Sequence, residues 1–253
     1  MMIYKYVGHE NSFELIKILK YFIEDGTVRA GCPHDFNDPA EFKVNFDFVA
    51  TEEQKAKRFF ELWHDKDEDT CKNWLRNREL HVEQYDAYML RGNLLNNMGV
   101  VCLTRAYDNY LMWSHYARSH SGFCIGFDDA IIEELNDKNA VMYGDVQYSE
   151  TVPKVNFYTS DINEIIAALF MYKGSVWDYE EEVRVVSKIA GIKKIDKSLI
   201  KELIIGCRPC PGLENYIYTL FDTGIELYKM RCPADSYNLD RVLINKNKYF
   251  QGY

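Results

Sequence analysis

The chain alternates between stretches with a helical apolar stripe and short runs with a β-strand pattern. Phe13–Glu24 carries Leu15, Ile16, Leu19, Phe22 and Ile23 at three- and four-residue spacing. That spacing predicts a helix capped by Asn11 or Ser12 and stopped by Gly26. Before it, Ile3–Tyr6 reads as a short strand, and Thr27–Gly31 reads as another. Later runs of the same kind are Val100–Thr104, Phe123–Phe127, Val141–Ser149, Glu182–Ile189, Lys201–Gly206 and Ile225–Cys232. Asp108–His120 and Ile162–Met171 lie between strands and read as helices, the second capped by Asp161. Tyr216–Leu220 fits a strand or a short helix.

Residues 51–98 differ in character. Thr51 and Glu52 open a charged helix, and polar helical sequence continues to Met98, with Phe59, Phe60, Leu62, Trp63, Trp74 and Leu75 to dock it. The expectation is one α+β domain over residues 1–253, with mixed or antiparallel short strands around a cleft and a helical insertion at 51–98. A Rossmann fold fits less well, because neither GxGxxG nor GxxxxGK[ST] is present.

Composition narrows the function classes. The formal charge is −9 with no long basic run, which argues against a broad basic face for duplex nucleic acid. No segment approaches the ~20 apolar residues of a membrane helix, and the first residues lack a signal-peptide core. The expected compartment is the cytoplasm. Seven scattered cysteines do not read as a disulfide framework, and Cys207-Arg-Pro-Cys210 lacks the second ligand pair of a zinc site. The nineteen tyrosines suit a cleft or an interface.

Three clusters carry candidate chemistry. In Met112–His120, Met112, His115 and Tyr116 share one helical face, Trp113 sits three residues from Tyr116, and Arg118 could bind phosphate. His115 and His120 are five apart and diverge around a helix axis, so no metal site is expected from them. In Lys173–Val186, an extended backbone would place Glu180, Glu182 and Arg184 on one face, with Trp177 at a cleft wall. Glu182 is the leading candidate for a general base or a cation-stabilising carboxylate. The competing reading is a structural ion pair from Glu180 or Glu182 to Arg184 or Lys173. In Pro33–Phe42, Asn37, Asp38 and Pro39 set a rigid loop, with Glu41 just beyond it.

Together, Tyr4–Tyr6, the Pro33–Glu41 loop with its FNDP motif, the MWSHYA segment within Met112–Phe127 and the Lys173–Arg184 segment resemble DUF2971, a bacterial family of unknown function. The order of elements also distantly resembles ADP-ribosyltransferases of the DNA-modifying toxin type. That resemblance implies an NAD cleft between short strands, an aromatic and a polar residue on early strands, and a catalytic glutamate on a late strand. Carried onto this chain, it implies Glu182, His115 and Tyr116 as catalytic residues. It implies Lys5, Tyr6, Trp113, Arg118, Trp177 and Arg184 around an NAD-like ligand. No first-strand arginine or histidine completes the pattern. The expected activity is NAD-dependent ADP-ribosyl transfer to nucleic acid or protein. Two alternatives stand beside it. One is a non-enzymatic regulatory or phage-defence binding protein, in which the same clusters hold a loop to the core. The other is a nuclease in which Asp35, Asp38, Glu41 and His115 converge on a divalent ion.

Overall fold

The computed structural model describes residues 1–137 and 140–246. The first part of the chain forms β1 (Met2–Val7), α1 (Ser12–Ile23), β2 (Thr27–Ala30) and β3 (Asn45–Asp47). The polar block folds into α2 (Glu52–Leu62), α3 (Glu68–Arg76) and α4 (Leu80–Asn97). Then come β4 (Gly99–Thr104), α5 (Tyr110–His115), β5 (Phe123–Asp128), α6 (Ala130–Asp137), β6 (Ala140–Asp145), β7 (Gln147–Ser149) and β8 (Lys154–Asn156). The last part comprises α7 (Ile162–Phe170), β9 (Tyr172–Gly174), β10 (Glu182–Ser187), β11 (Gly191–Lys194), β12 (Ile200–Ile205), α8 (Leu213–Ile217), β13 (Glu226–Arg231) and β14 (Asp240–Leu243). The fold is α+β, as the pattern predicted. Residues 247–253, within the expected domain span, lie outside the described residues.

Local chemistry explains the helix starts. The Asn11 side chain accepts from the amides of Phe13 and Glu14. Thr51 with Gln54, and Asp161 with Glu164, form reciprocal capping boxes. Eight strands make one sheet in the order β14-β13-β12-β5-β1-β4-β10-β6. Every neighbouring pair in it is antiparallel except β12–β13.

The alternation of each strand divides the core into two layers. On one face Ile3, Leu103, Ile125, Val183, Val185 and Leu203 pack under α1, α6 and α8 through residues such as Leu15, Leu19, Ile131 and Leu213. The opposite face holds two separate apolar clusters. Tyr4, Tyr6, Cys124 and Ile204 pack against Met112, Trp113 and Ala117. Val100 and Val186 pack against Phe42, Leu95 and the α7 residues Ile166, Leu169 and Phe170. Thr104, Glu182 and Arg184 occupy β4 and β10 positions on this second face, buried but in neither apolar cluster.

The sheet is not continuous at its centre. β1 pairs with β5 over six register positions, and β4 pairs with β10 over six. Between β1 and β4 only Tyr4↔Thr104 is in register. The two strands part beyond that point, and the gap becomes a cleft.

The polar helices dock through their own aromatic and ionic cluster. Phe157, Tyr158 and Ala87 form its centre, with Phe46, Phe48, Leu62 and Trp74 around them. Glu83 is buried there, bound by Lys55 at 2.8 Å and by the Tyr158 hydroxyl at 2.7 Å. Phe59 is buried as expected, whereas Phe60 is exposed.

Candidate functional site

The cleft between β1 and β4 has a volume of about 100 Å³. β1 contributes Tyr4, Lys5 and Tyr6, β4 contributes Cys102 and Thr104, and the α5 region contributes Met112 and Tyr116. Phe36 and Asn37 come from the loop after β2, and Lys173, Glu180 and Glu182 form the far wall.

α5 is shorter than the pattern suggested. It ends at His115, and Arg118, Ser119 and His120 all take left-handed backbone conformations. Close packing of glycines explains this turn. A Cβ at Gly122 would lie 2.1 Å from the Val7 carbonyl, and one at Gly206 would lie 2.0 Å from the His120 carbonyl. The Gly206 and Arg208 amides then donate to the Gly122 and His120 carbonyls at 3.0 Å each. The turn separates the two histidines. His115 is exposed, while His120 is 5 % exposed and lies near-parallel to Trp113. Ser114 gives its only hydroxyl proton to the Tyr110 carbonyl at 3.0 Å. The His120 Nε2 contact to Ser114 at 3.2 Å therefore has His120 as donor, leaving Nδ1 an acceptor with no partner among the described residues. Burial and Arg208 push the His120 pKa down, consistent with the neutral ring.

Glu180 is not on the strand. It ends a 3-10 turn over Ser175–Glu180, and Glu181 takes a left-handed conformation before β10 begins. That kink lets Glu180 and Glu182 line the same cleft while Glu181 is exposed. Thr104 fixes the kink by donating its hydroxyl to the Glu180 carbonyl.

A buried charge network underlies the far wall. Arg184 is fully buried and forks onto Glu182, Nε to Oε1 at 2.7 Å and Nη2 to Oε2 at 2.8 Å. It also donates to both oxygens of Glu41 at 3.0 and 3.1 Å and to the Phe170 carbonyl at 2.7 Å. Lys173 meets Glu180 at 2.6 Å, Glu41 at 3.0 Å and Glu182 at 3.4 Å. Tyr116 donates to Glu180 at 2.6 Å. The Tyr148 hydroxyl accepts from the Glu182 amide at 2.9 Å. The structural ion pairs weighed from the sequence are thus both formed, Glu182 to Arg184 and Glu180 to Lys173. Glu41 and Lys173 are the partners that the spacing alone did not single out as site residues.

The two glutamates differ in proton affinity. Burial acts to raise Glu182, but Arg184 and Lys173 outweigh it and hold the carboxyl down at about 2. For Glu180 burial wins over Lys173 and Tyr116, and the carboxyl is pushed above its ordinary value. Burial, reinforced by Glu180, pushes the Tyr116 phenol up. Burial would lower Lys173, but its three carboxylates raise it.

Of the candidates from the sequence, Lys5, Tyr6, Tyr116 and Glu182 line the cleft. Arg184 sits behind the wall as the counter-ion of Glu182. His115 and Trp177 lie together outside the lining, ring centroids 6.2 Å apart, with Tyr179 beside both. Trp113 is fully buried, edge-on to Tyr6 at 5.1 Å, and donates to the Tyr107 carbonyl at 2.8 Å. It is a core residue of the apolar cluster against which Tyr116 packs. Arg118 is 53 % exposed, faces Glu10 at 4.0 Å and does not line the cleft.

Among the described residues no three His, Cys, Asp or Glu side chains are grouped to hold a metal. Asp35 pairs with Arg29, Asp38 caps the Ala40 amide and Glu41 joins the buried network, so the convergence expected for a nuclease is not formed. Among the same residues no helix is long and apolar enough to cross a membrane.

No curated protein and no solved structure matches this chain. Residues 112–185, less than a third of the chain, match the profile of DUF2971, described as a protein of unknown function. The matched stretch contains Tyr116, Lys173, Glu180, Glu182 and Arg184 but not β1, β4 or Glu41. The chain is therefore similar to DUF2971 along the α5-to-β10 half of the cleft.

Proposed function

We propose that the cleft breaks an N-glycosidic bond, with NAD as the glycosyl donor, in the manner of ADP-ribosyltransferases. The observation that carries this reading is the parting of β1 from β4. It sets Tyr4, Lys5 and Tyr6 of the first strand across from Glu180, in the turn before a late strand, and Glu182, at that strand's start.

The size of the cleft limits how NAD fits. At about 100 Å³ it is well below the ~300–1,000 Å³ of pockets that enclose whole ligands. Its lining contains no arginine to hold a pyrophosphate. A cleft of this size encloses only the part of the nucleotide around the scissile bond, with the remainder outside, near the exposed His115 and the Trp177 ring. NAD supplies the activated bond. Glu182, kept anionic by Arg184, provides fixed negative charge where positive charge develops on the sugar. Glu180, the carboxylate of higher proton affinity, accepts the proton of the attacking hydroxyl, and Tyr116 aims it. With water as acceptor, ADP-ribose, nicotinamide and one proton result. A nucleic-acid or protein hydroxyl would take the place of water in transfer.

The test is nicotinamide release from NAD by the wild type, Glu180→Gln and Tyr116→Phe, each normalised to folded protein. Glu180→Gln should lose about 10²–10⁴-fold in rate, the usual scale of a general base. No release by folded wild type together with no thermal stabilisation by NAD would reject the reading.

A second reading has its own observation. Glu41 belongs to the Cys32–Phe42 loop and is anchored by Arg184 and Lys173, which ties that loop to the sheet. The network would then serve a non-enzymatic regulatory or defence-associated binding protein. That reading predicts that Glu180→Gln and Glu182→Gln lower stability while the wild type leaves NAD intact.

A further inference from the structure

The cleft is lined by several potential nucleophiles, and their surroundings separate one from the rest. Burial pushes the phenols of Tyr4, Tyr6 and Tyr116 and the Cys102 thiol upward, so each keeps its proton at neutral pH. The Thr104 hydroxyl is committed to the Glu180 carbonyl. Lys173 is fixed as an ammonium by three carboxylates within 3.4 Å.

Lys5 is different. Its Nζ donates to the Cys102 carbonyl at 3.0 Å, and among the described residues no carboxylate lies within ion-pair distance. The strand register explains the isolation. Lys5 follows Tyr4, the last residue of β1 that pairs with β4, so its side chain enters where the strands separate. The titratable groups facing it are Cys102 on β4, Glu182 on β10 and Cys124 on β5. With both thiols protonated at neutral pH, Glu182 is the charge that acts to raise its proton affinity, yet burial outweighs it and lowers it. One cleft thus holds two lysines whose proton affinities move in opposite directions, Lys173 raised by three carboxylates within ion-pair distance and Lys5 lowered by burial with none that close.

We propose that Lys5 is a nucleophilic amine that forms a Schiff base with a small aldehyde or ketone held in the cleft. The Nζ lone pair adds to the carbonyl carbon, and one of its protons passes to the carbonyl oxygen, which becomes a hydroxyl. Glu180 in its protonated form, on the opposite wall, protonates that hydroxyl as it leaves as water, and it recovers a proton from the nitrogen as the C=N bond forms. Amine plus carbonyl gives imine plus water, with no oxidant or reductant. The volume of about 100 Å³ admits a compound of a few heavy atoms, or the reacting end of a longer one. The inference rests on the proposed function only for the source of the carbonyl. Cleavage of NAD frees a ribose whose anomeric carbon opens to an aldehyde beside this amine.

The experiment is reductive trapping on the full-length protein at pH 7 with cyanoborohydride, using glycolaldehyde and ribose 5-phosphate as separate probes, read by peptide mass mapping. Lys5 should be labelled at least ten times faster than an exposed lysine such as Lys57, which is 77 % exposed. Lys5→Met should lose that adduct and no other. If the variant fails to fold, the wild-type map decides alone. Labelling of Lys5 no faster than Lys57, with both probes, overturns the proposal. Rapid labelling of Lys5 without nicotinamide release from NAD upholds it and removes the donor reading. Nicotinamide release with Lys5 slow to label does the reverse.

Discussion

Replacing Glu182 by glutamine removes one charge from the centre of the buried network and leaves its shape nearly unchanged. Arg184 then keeps Glu41 but loses its forked partner, and Lys173 loses one of three carboxylates. Two routes give the magnitude. Holding a buried carboxyl at about 2 rather than 4.5 corresponds to about 3 kcal/mol of stability at neutral pH. Removing one partner of a buried ion pair costs ~3–5 kcal/mol, largely because the other charge stays buried. For a chain of this size, about 3 kcal/mol lowers Tm by about 6–12 °C. The pH dependence has a definite sign. A depressed carboxyl stabilises the fold fully above its unfolded value of 4.5, and that stability is lost as the pH falls towards about 2. The gap between wild type and Glu182→Gln is therefore constant from pH 7 to about 5 and narrows below 4.5. Urea unfolding of both proteins across pH 7 to 3 measures it. A gap below about 1 kcal/mol at pH 7, or one that does not narrow on acidification, would refute the assignment of Glu182 as the clamped anion. The same loss of stability makes Glu180→Gln the cleaner variant for turnover.

Further outcomes follow from the same geometry. The acid limb of any NAD-cleaving rate profile should lie above the ordinary carboxyl value of 4.5, because Glu180 must be unprotonated to accept a proton and burial raises it. A limb at or below 4.5 would exclude Glu180 as the base. His115→Ala should change stability by no more than about 0.5 kcal/mol in thermal unfolding, since the side chain is exposed. Phe157→Ala should cost about 3–5 kcal/mol, because the ring is fully buried at the centre of the cluster that docks the polar helices. Gly206→Ala should abolish soluble folded protein, since its Cβ meets backbone rather than a flexible side chain.

Much of the framework was legible in the chain. Apolar spacing located α1 and α7, and Asn11, Thr51 and Asp161 marked helix starts because each can satisfy amides that the first turn leaves unpaired. The principal strands of the sheet were mostly visible as β-branched and aromatic runs. β14 was missed, and Tyr216–Leu220 proved helical. The Val141–Ser149 run divides after Asp145, with its second part pairing with β9 rather than with the main sheet. The helix expected through His120 stops at His115 because the chain must turn closely over Val7 and Gly206. That requirement comes from other strands.

For the candidate site, the sequence alone pointed to the segments that meet at the cleft. β1, the Pro33–Glu41 loop, the Met112–His120 segment and the Lys173–Arg184 segment all supply residues to the cleft or the network beneath it. The pattern also placed Glu182 and Arg184 on one face of a strand, because alternation is a local property of extended backbone. Tertiary structure decided the rest. Glu41, Lys173 and Arg184 lie on separate elements, and only their convergence makes three carboxylates and two cations a single network. The contrast between Lys5 and Lys173 was likewise invisible. Both are lysines in aromatic, β-forming sequence, and their difference is set by which carboxylates the fold brings near. Local sequence fixes backbone preference over a few residues. The parting of β1 from β4, and the proton affinities along its walls, depend on distances between residues far apart in the chain.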